Sequence, residues 1–246
     1  MNHAKQVTIL MCLLLVVVAS GQVTAETTRG TIRAGYVFTD HEGNRSMDQT
    51  AYNMYEGLAL SIENFRHDFD RGWRLKADLE NITLENRNLR LGIGKSGLFD
   101  LTLTHRANRR IYDFSDDVRT RRHVTNTTFW LQPHDMIRVF GGLAYTTKTG
   151  DQAPLISPTD INQVDYDHTH FHAGVRLQDQ RRYFQAEYRG ADFGDNTENI
   201  SDRQSSRVRL IAGAPVPSFE RLVLSLGFQH YEHRLERQED TLMANT

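Results

Sequence analysis

Three histidines, His168, His170 and His172, occupy every second position of a segment in which Thr169, Phe171, Ala173 and Val175 alternate with them. Residues two apart share one face of a β-strand, so this spacing sets three imidazoles in a row, roughly 6.8 Å from one to the next. Two such rings can share a metal such as Zn or Cu through flexible rotamers. His123 and the segment His230-Tyr231-Glu232-His233 would add ligands if the fold brings them near. The competing reading, and the favoured one, makes the three imidazoles polar side chains wetted by a water-filled interior. Either way the row carries a pH-dependent charge. Asp113-Phe114-Ser115-Asp116-Asp117 and Asp192-Phe193-Gly194-Asp195-Asn196-Thr197-Glu198 offer carboxylates to a hard cation such as Ca²⁺. Neither matches an ordered calcium loop, and solvated loops describe them better. Gly-x-Ser-x-Gly, His-Glu-x-x-His and phosphate-binding glycine loops are absent, so no catalytic residue is assigned and no enzyme is expected.

The elements that must position these residues are strands. Apolar side chains recur at every second position, as in Leu222, Leu224, Leu226 and Phe228, with Val223, Ser225, Gly227 and Gln229 on the other face. Leu58, Leu60 and Ile62 agree, as do Leu89, Leu91 and Ile93; Phe99, Leu101 and Leu103; Ile137 and Val139; and Val208, Leu210 and Ala212. The alternate face carries Arg74, Lys76, Asp78 and Glu80 in one segment and Gln185, Glu187 and Arg189 in another. That is more charge than a packed sandwich core tolerates. One face suits lipid and the other suits water, so these seven residues are expected to face the lumen of a barrel.

About eleven strands are expected, near residues 30–39, 54–63, 73–81, 87–94, 98–107, 121–132, 136–147, 166–177, 182–191, 205–214 and 220–231. Each is close to the roughly 9 to 11 residues that cross a bilayer when tilted. Short links near 67–71, 95–97, 133–135, 179–181 and 215–219 alternate with long polar loops at 40–53, 113–120, 148–165 and 192–204; the link at 82–86 is short where a long one is expected. Short turns on one side and long loops on the other are the pattern of outer-membrane barrels, with the mature N-terminus in the periplasm. Aromatic residues near strand ends, among them Tyr36, Phe38, Trp73, Phe99, Trp130, Tyr145, Tyr183, Phe219, Phe228 and Tyr231, fit interfacial girdles. All five prolines, Pro133, Pro154, Pro158, Pro215 and Pro217, fall in expected turns or loops. The fold class is therefore an all-β, antiparallel transmembrane outer-membrane β-barrel. An odd strand count leaves one strand without a hairpin partner, which predicts an incomplete part of a larger barrel, or closure by oligomerisation or by fewer strands.

The first residues set the compartment. Lys5, the apolar stretch Val7–Ala19 and Val23-Thr24-Ala25 before Glu26 read as a cleavable export signal over 1–25, leaving 26–246 as the barrel. The stretch is too short for a spanning helix, which needs roughly 20 residues. Cys12, the one cysteine, lies inside it, so the mature chain is expected to carry no disulfide, thiolate metal site or Cys-x-x-Cys-His haem site. Hydrophobic residues make up 39% of the chain and mean hydropathy is −0.55, a soluble value that a barrel also gives, because only alternate residues face lipid. The formal charge of −2, from 29 Lys and Arg against 31 Asp and Glu, and the lack of a basic run interleaved with aromatics argue against nucleic acid as a partner.

Several stretches together bear a family likeness: Gly30-Thr31-Ile32-Arg33-Ala34-Gly35-Tyr36 followed by Asp40–Asn44, then Leu84–Asp100, His105–Phe114, and Trp130-Leu131-Gln132-Pro133 before Ile137–Tyr145. They resemble the opening strands of the MtrB/PioB family of decahaem-associated outer-membrane proteins, over most of the mature chain and about the N-terminal third of a family member. The resemblance implies a wide barrel in the bacterial outer membrane that sheathes a multihaem c-type cytochrome and lets electrons cross that membrane. It implies no covalently bound cofactor, haem entering only through the partner cytochrome, with the lumen-facing residues against the cytochrome or its hydration layer. The chain lacks the Cys-x-x-Cys pair that some members carry near the mature N-terminus. A general porin passing small polar solutes is the alternative function.

Overall fold

The computed structural model describes residues 27–38, 55–112, 118–153, 161–179, 181–197, 202–216 and 219–236. The expected export signal, the long loop at 40–53 and the acidic segment at 113–117 lie outside them.

Eleven strands form one sheet: β1 (Thr27–Val37), β2 (Gly57–Asp68), β3 (Trp73–Glu80), β4 (Asn88–Lys95), β5 (Phe99–Ile111), β6 (Arg119–His134), β7 (Ile137–Gln152), β8 (Asn162–Gln178), β9 (Tyr183–Asp195), β10 (Asp202–Val216) and β11 (Phe219–Glu236). Their order in the sheet is their order in the chain, and every neighbour pair is antiparallel. The sheet is open, with β1 and β11 as its edges. Strand number and order follow the alternating pattern of the sequence. Strand length does not: β3 and β4 have 8 residues, whereas β8 has 17 and β11 has 18. The long strands continue past their apolar stretches, because backbone pairing extends wherever a neighbour continues too.

From β3 to β11 the register runs without slip through the middle of the sheet, so one row can be followed strand by strand: Leu75, Ile93, Leu101, Phe129, Gly141, Ala173, Tyr188, Val208, His230. Directly opposed residues share a face. All the alternating apolar residues named above that enter this register fall on the face of Leu75. Residues one position along fall on the other, polar face.

The apolar run drifts steadily through these rows. Ala77, in the middle of the run on β3, lies in a row that ends on β11 at Glu232, whereas the β11 run centres on Leu226, six residues away. At about 3.4 Å per residue and about 4.8 Å per strand, that drift over eight steps is a slope of about 28° to the perpendicular of the strands. On the other side, Ile32, Ala34 and Tyr36 pair with Ile62, Leu60 and Leu58, and Ile62 is opposite Leu79. Including β1 adds about four residues over two steps and steepens the slope to about 35°.

The tightest packing lies on the apolar face at the end of β3 and β4. The link at 81–87 folds back over it: Ile82 donates its N–H to the Leu60 carbonyl at 2.8 Å, and the Arg87 carbonyl accepts from the Ala107 N–H at 2.9 Å. Asn81, in the left-handed region at φ 50°, starts the reversal, and its N–H donates to Ser61 Oγ at 3.0 Å. Ala77, Leu79 and Leu89 form the buried cluster, flanked by Ile62, Phe65, Ile82 and Leu91, and Leu79 is only 1% exposed. The shortness of this link, out of pattern in the sequence, thus has a structural use.

Two prolines depart from expectation. Pro133 lies within β6 and Pro215 within β10, each beside a register shift (Leu131/His134 and Pro215/Val216). An irregular pair spares the ladder a missing N–H, which is why proline is tolerated there. Pro154, Pro158 and Pro217 lie outside the described residues.

Candidate functional site

The polar face collects the residues that sequence periodicity singles out. The row beginning at Arg74 passes through Gly94, Asp100, Trp130, Phe140, Gly174, Glu187 and Arg209 to Gln229. Lys76, Asp78 and Glu80 alternate with Arg74 along β3, and Gln185 and Arg189 flank Glu187 on β9. His168, His170 and His172 on β8 lie on the same face, since Gly174 follows them at the strand period. All seven charged and amide residues and all three histidines therefore share one surface.

The histidines are not equivalent. The rings of His168 and His170 are 3.8 Å apart between centroids, and Phe193 meets the His168 ring edge-on at 5.8 Å. His172 turns to its cross-strand partner Gly142, where its Cε1 would stand 2.6 Å from an added Cβ, and its ring lies 6.4 Å from that of Phe140. His123 is on the apolar face, 5.9 Å from the ring of His105, which bonds Thr125 at 2.9 Å. His230 is also on the apolar face, and His233 is on the polar face three strands from His170. The supplementary ligands considered for the histidine row are thus not brought to it. Among the described residues, no group of three or more His, Cys, Asp or Glu side chains is arranged to hold a metal ion.

In the acidic segment expected to be a loop, Asp192–Asp195 instead continue β9 in register with β8, and a turn follows at 196–197. Asp195 accepts from the N–H and hydroxyl of Thr197 at 3.1 and 2.7 Å, its own N–H donates to Asp202, and Asn196 donates to Asp165 at 3.1 Å. Glu198 lies outside the described residues.

Charge on the polar face is held in a few local bonds. Glu187, 5% exposed, accepts from Arg189 Nε at 2.5 Å. Asp68 accepts from Arg66 at 2.8 Å and from Arg74 at 3.0 Å beside the short link to β3. Arg138 lies 5.1 Å over the Trp130 ring and Arg176 lies 5.8 Å over that of Tyr183, the planar guanidinium and the ring meeting as a cation–π pair. Trp130, Tyr183 and Tyr231 therefore point to the polar face, not outward as a girdle requires. Trp73 and Phe99, packed edge-on at 5.1 Å, lie on the apolar face near the short links.

Between these charged groups the middle of the face is built from small residues. Gly92, Thr102, Thr128 and Gly142 stand in one row between Lys76 and His172. Beside them a hollow of about 370 Å³ is lined by Arg90, Thr104, Asn126, Ala144 and His170, among others. The arrangement offers a broad, charged wall.

No protein-family model matches the chain, and no curated protein matches it.

Proposed function

We propose that this chain forms the wall of an outer-membrane β-barrel whose polar face lines a water-filled lumen and whose apolar face meets lipid, and that the wall sheathes a multihaem c-type cytochrome in electron transfer across the membrane. The observation that carries the barrel reading is the drift of the apolar run through the register. A belt of constant height around a barrel crosses tilted strands obliquely, and the slope of about 28° to 35° approaches the roughly 35–45° tilt of bacterial barrels. A soluble sheet packed on one face has no reason to march its apolar residues along the strands in one direction. The exposed Leu224, Leu226 and Phe228 on β11 and Leu143 and Phe171 on β7 and β8 belong to that belt.

The sheath reading draws on the family resemblance and on the low relief of the polar face. A row such as Gly92, Thr102, Thr128 and Gly142 lets a folded body come close to the wall. Haem would belong to that partner, and export through the signal at 1–25 would deliver the chain to the outer membrane. The charged, hollowed face also suits a porin for small polar solutes, the second reading.

The test is to purify the protein from native outer membranes in mild detergent, with whatever is bound to it, and record the visible spectrum. A c-type haem spectrum migrating with the barrel is expected. A colourless preparation that forms ion channels in planar bilayers would replace the sheath with the porin.

A further inference from the structure

Five cross-strand pairs on the polar face set one cation directly against another: Arg29 and Arg66, Arg66 and Lys76, Arg122 and Lys148, Arg138 and Arg176, and Arg189 and Arg207. Among the described residues, no pair on that face sets an acid against an acid. Like charges directly opposed destabilise a sheet. Asp68 relieves Arg66 and Glu187 relieves Arg189; Arg138 and Arg176 lie over the Trp130 and Tyr183 rings, Arg138 also donating to Gln132 Oε1 at 2.9 Å, but neither they nor Arg122 and Arg207 pair with a carboxylate of a described residue. The Nε of Arg176 is buried without a hydrogen-bond partner. The one comparable pair on the apolar face, Arg109 and Arg121, does have a carboxylate partner: Arg121 pairs with Glu85 at 3.2 Å, while Arg109 covers the Tyr55 ring at 4.5 Å. The chain as a whole is slightly acidic, so the cations are concentrated on this face and not spread evenly.

We propose that the polar face is a docking surface for the acidic surface of a folded protein, which rests on the sheath reading and specifies its partner. The cation pairs run from β1 to β10 across the width of the sheet, and do not converge on one hollow as a small-anion site would. Arginine, which supplies most of them, presents a planar fork that matches a carboxylate with two parallel hydrogen bonds.

The test uses the full chain purified in mild detergent and free of haem absorbance, with fluorescent poly-L-glutamate and poly-L-lysine of equal length as probes. Fluorescence anisotropy should show polyglutamate binding at low salt and weakening about tenfold or more as the ions screen it, with little binding of polylysine. The triple variant Arg138→Gln/Arg176→Gln/Arg207→Gln should bind polyglutamate about tenfold more weakly. Arg207→Gln alone, checked for unchanged heat-modifiable migration, should show a smaller loss in the same direction if the triple variant does not fold. Equal binding of both probes, or no change in the folded variants, overturns the proposal. Displacement of polyglutamate by inorganic phosphate at equal charge would also overturn it, and assign the face to small anions. A haem spectrum without polyglutamate binding removes this inference and leaves the sheath, whereas polyglutamate binding without a haem partner removes the sheath alone.

Discussion

The ring of Phe171 lies over Gly190, its direct cross-strand partner, so closely that a Cβ on Gly190 would meet Cε1 and Cζ at 2.4 Å. Phe140 covers Gly174, Phe129 covers Gly141 and Tyr183 covers Gly213 in the same way, each across one pair of neighbouring strands. Glycine in a strand leaves backbone bare and weakens the sheet, and an aromatic ring laid across it restores the missing contact. These pairs pin the register between β6 and β10, on both faces.

Gly190→Ala should therefore destabilise the folded chain by about 1 kcal/mol, because a Cβ at 2.4 Å forces the Phe171 ring, 43% exposed, to swing away and give up its contact with the strand. Adding Phe171→Leu should recover part of the loss. Urea unfolding in detergent, read by tryptophan fluorescence, checks both.

Leu79→Ala should cost about 2–5 kcal/mol, because the side chain is 1% exposed and the fold-back at 81–87 leaves little freedom to fill the cavity. Leu226→Ala, at a side chain 70% exposed, should cost far less in the same unfolding assay. Equal costs would mean that the fold-back does not hold the apolar end of β3.

Neighbouring residues of β5 should respond in opposite ways to the same substitution. Leu101→Arg places a charge in the middle of the belt and should reduce stability in lipid vesicles by about 2–4 kcal/mol. Thr102→Arg lies on the polar face, opposite Gly92 and Thr128 and two residues from Asp100, and should be tolerated. Folding yield into vesicles measures the contrast.

Period-two alternation is local, and it made the eleven strands, their antiparallel order and the shared face of Arg74, Glu187 and His170 legible in the sequence. Parity would also have assigned Trp130, Tyr183 and Tyr231 to the polar face, since Phe129, Phe184 and His230 beside them alternate with the apolar set. Reading those aromatics by nearness to a strand end hid that signal. The opposed cations could not be seen, because Arg138 and Arg176 meet only once the register of β7 on β8 is fixed. Nor could the burial of Leu79: a short link folding over a strand end has no periodic signature.

The most direct measurement is spin-label accessibility along β5, in a Cys12→Ser background with single cysteines placed in turn at residues 99–106 and the protein reconstituted in lipid bilayers. Collision with oxygen, which concentrates in lipid, should peak at Phe99, Leu101 and Leu103, and collision with a water-soluble nickel complex should peak at Asp100, Thr102 and Thr104. Nickel access at both sets, or no alternation between them, would contradict a wall with lipid on one face and water on the other.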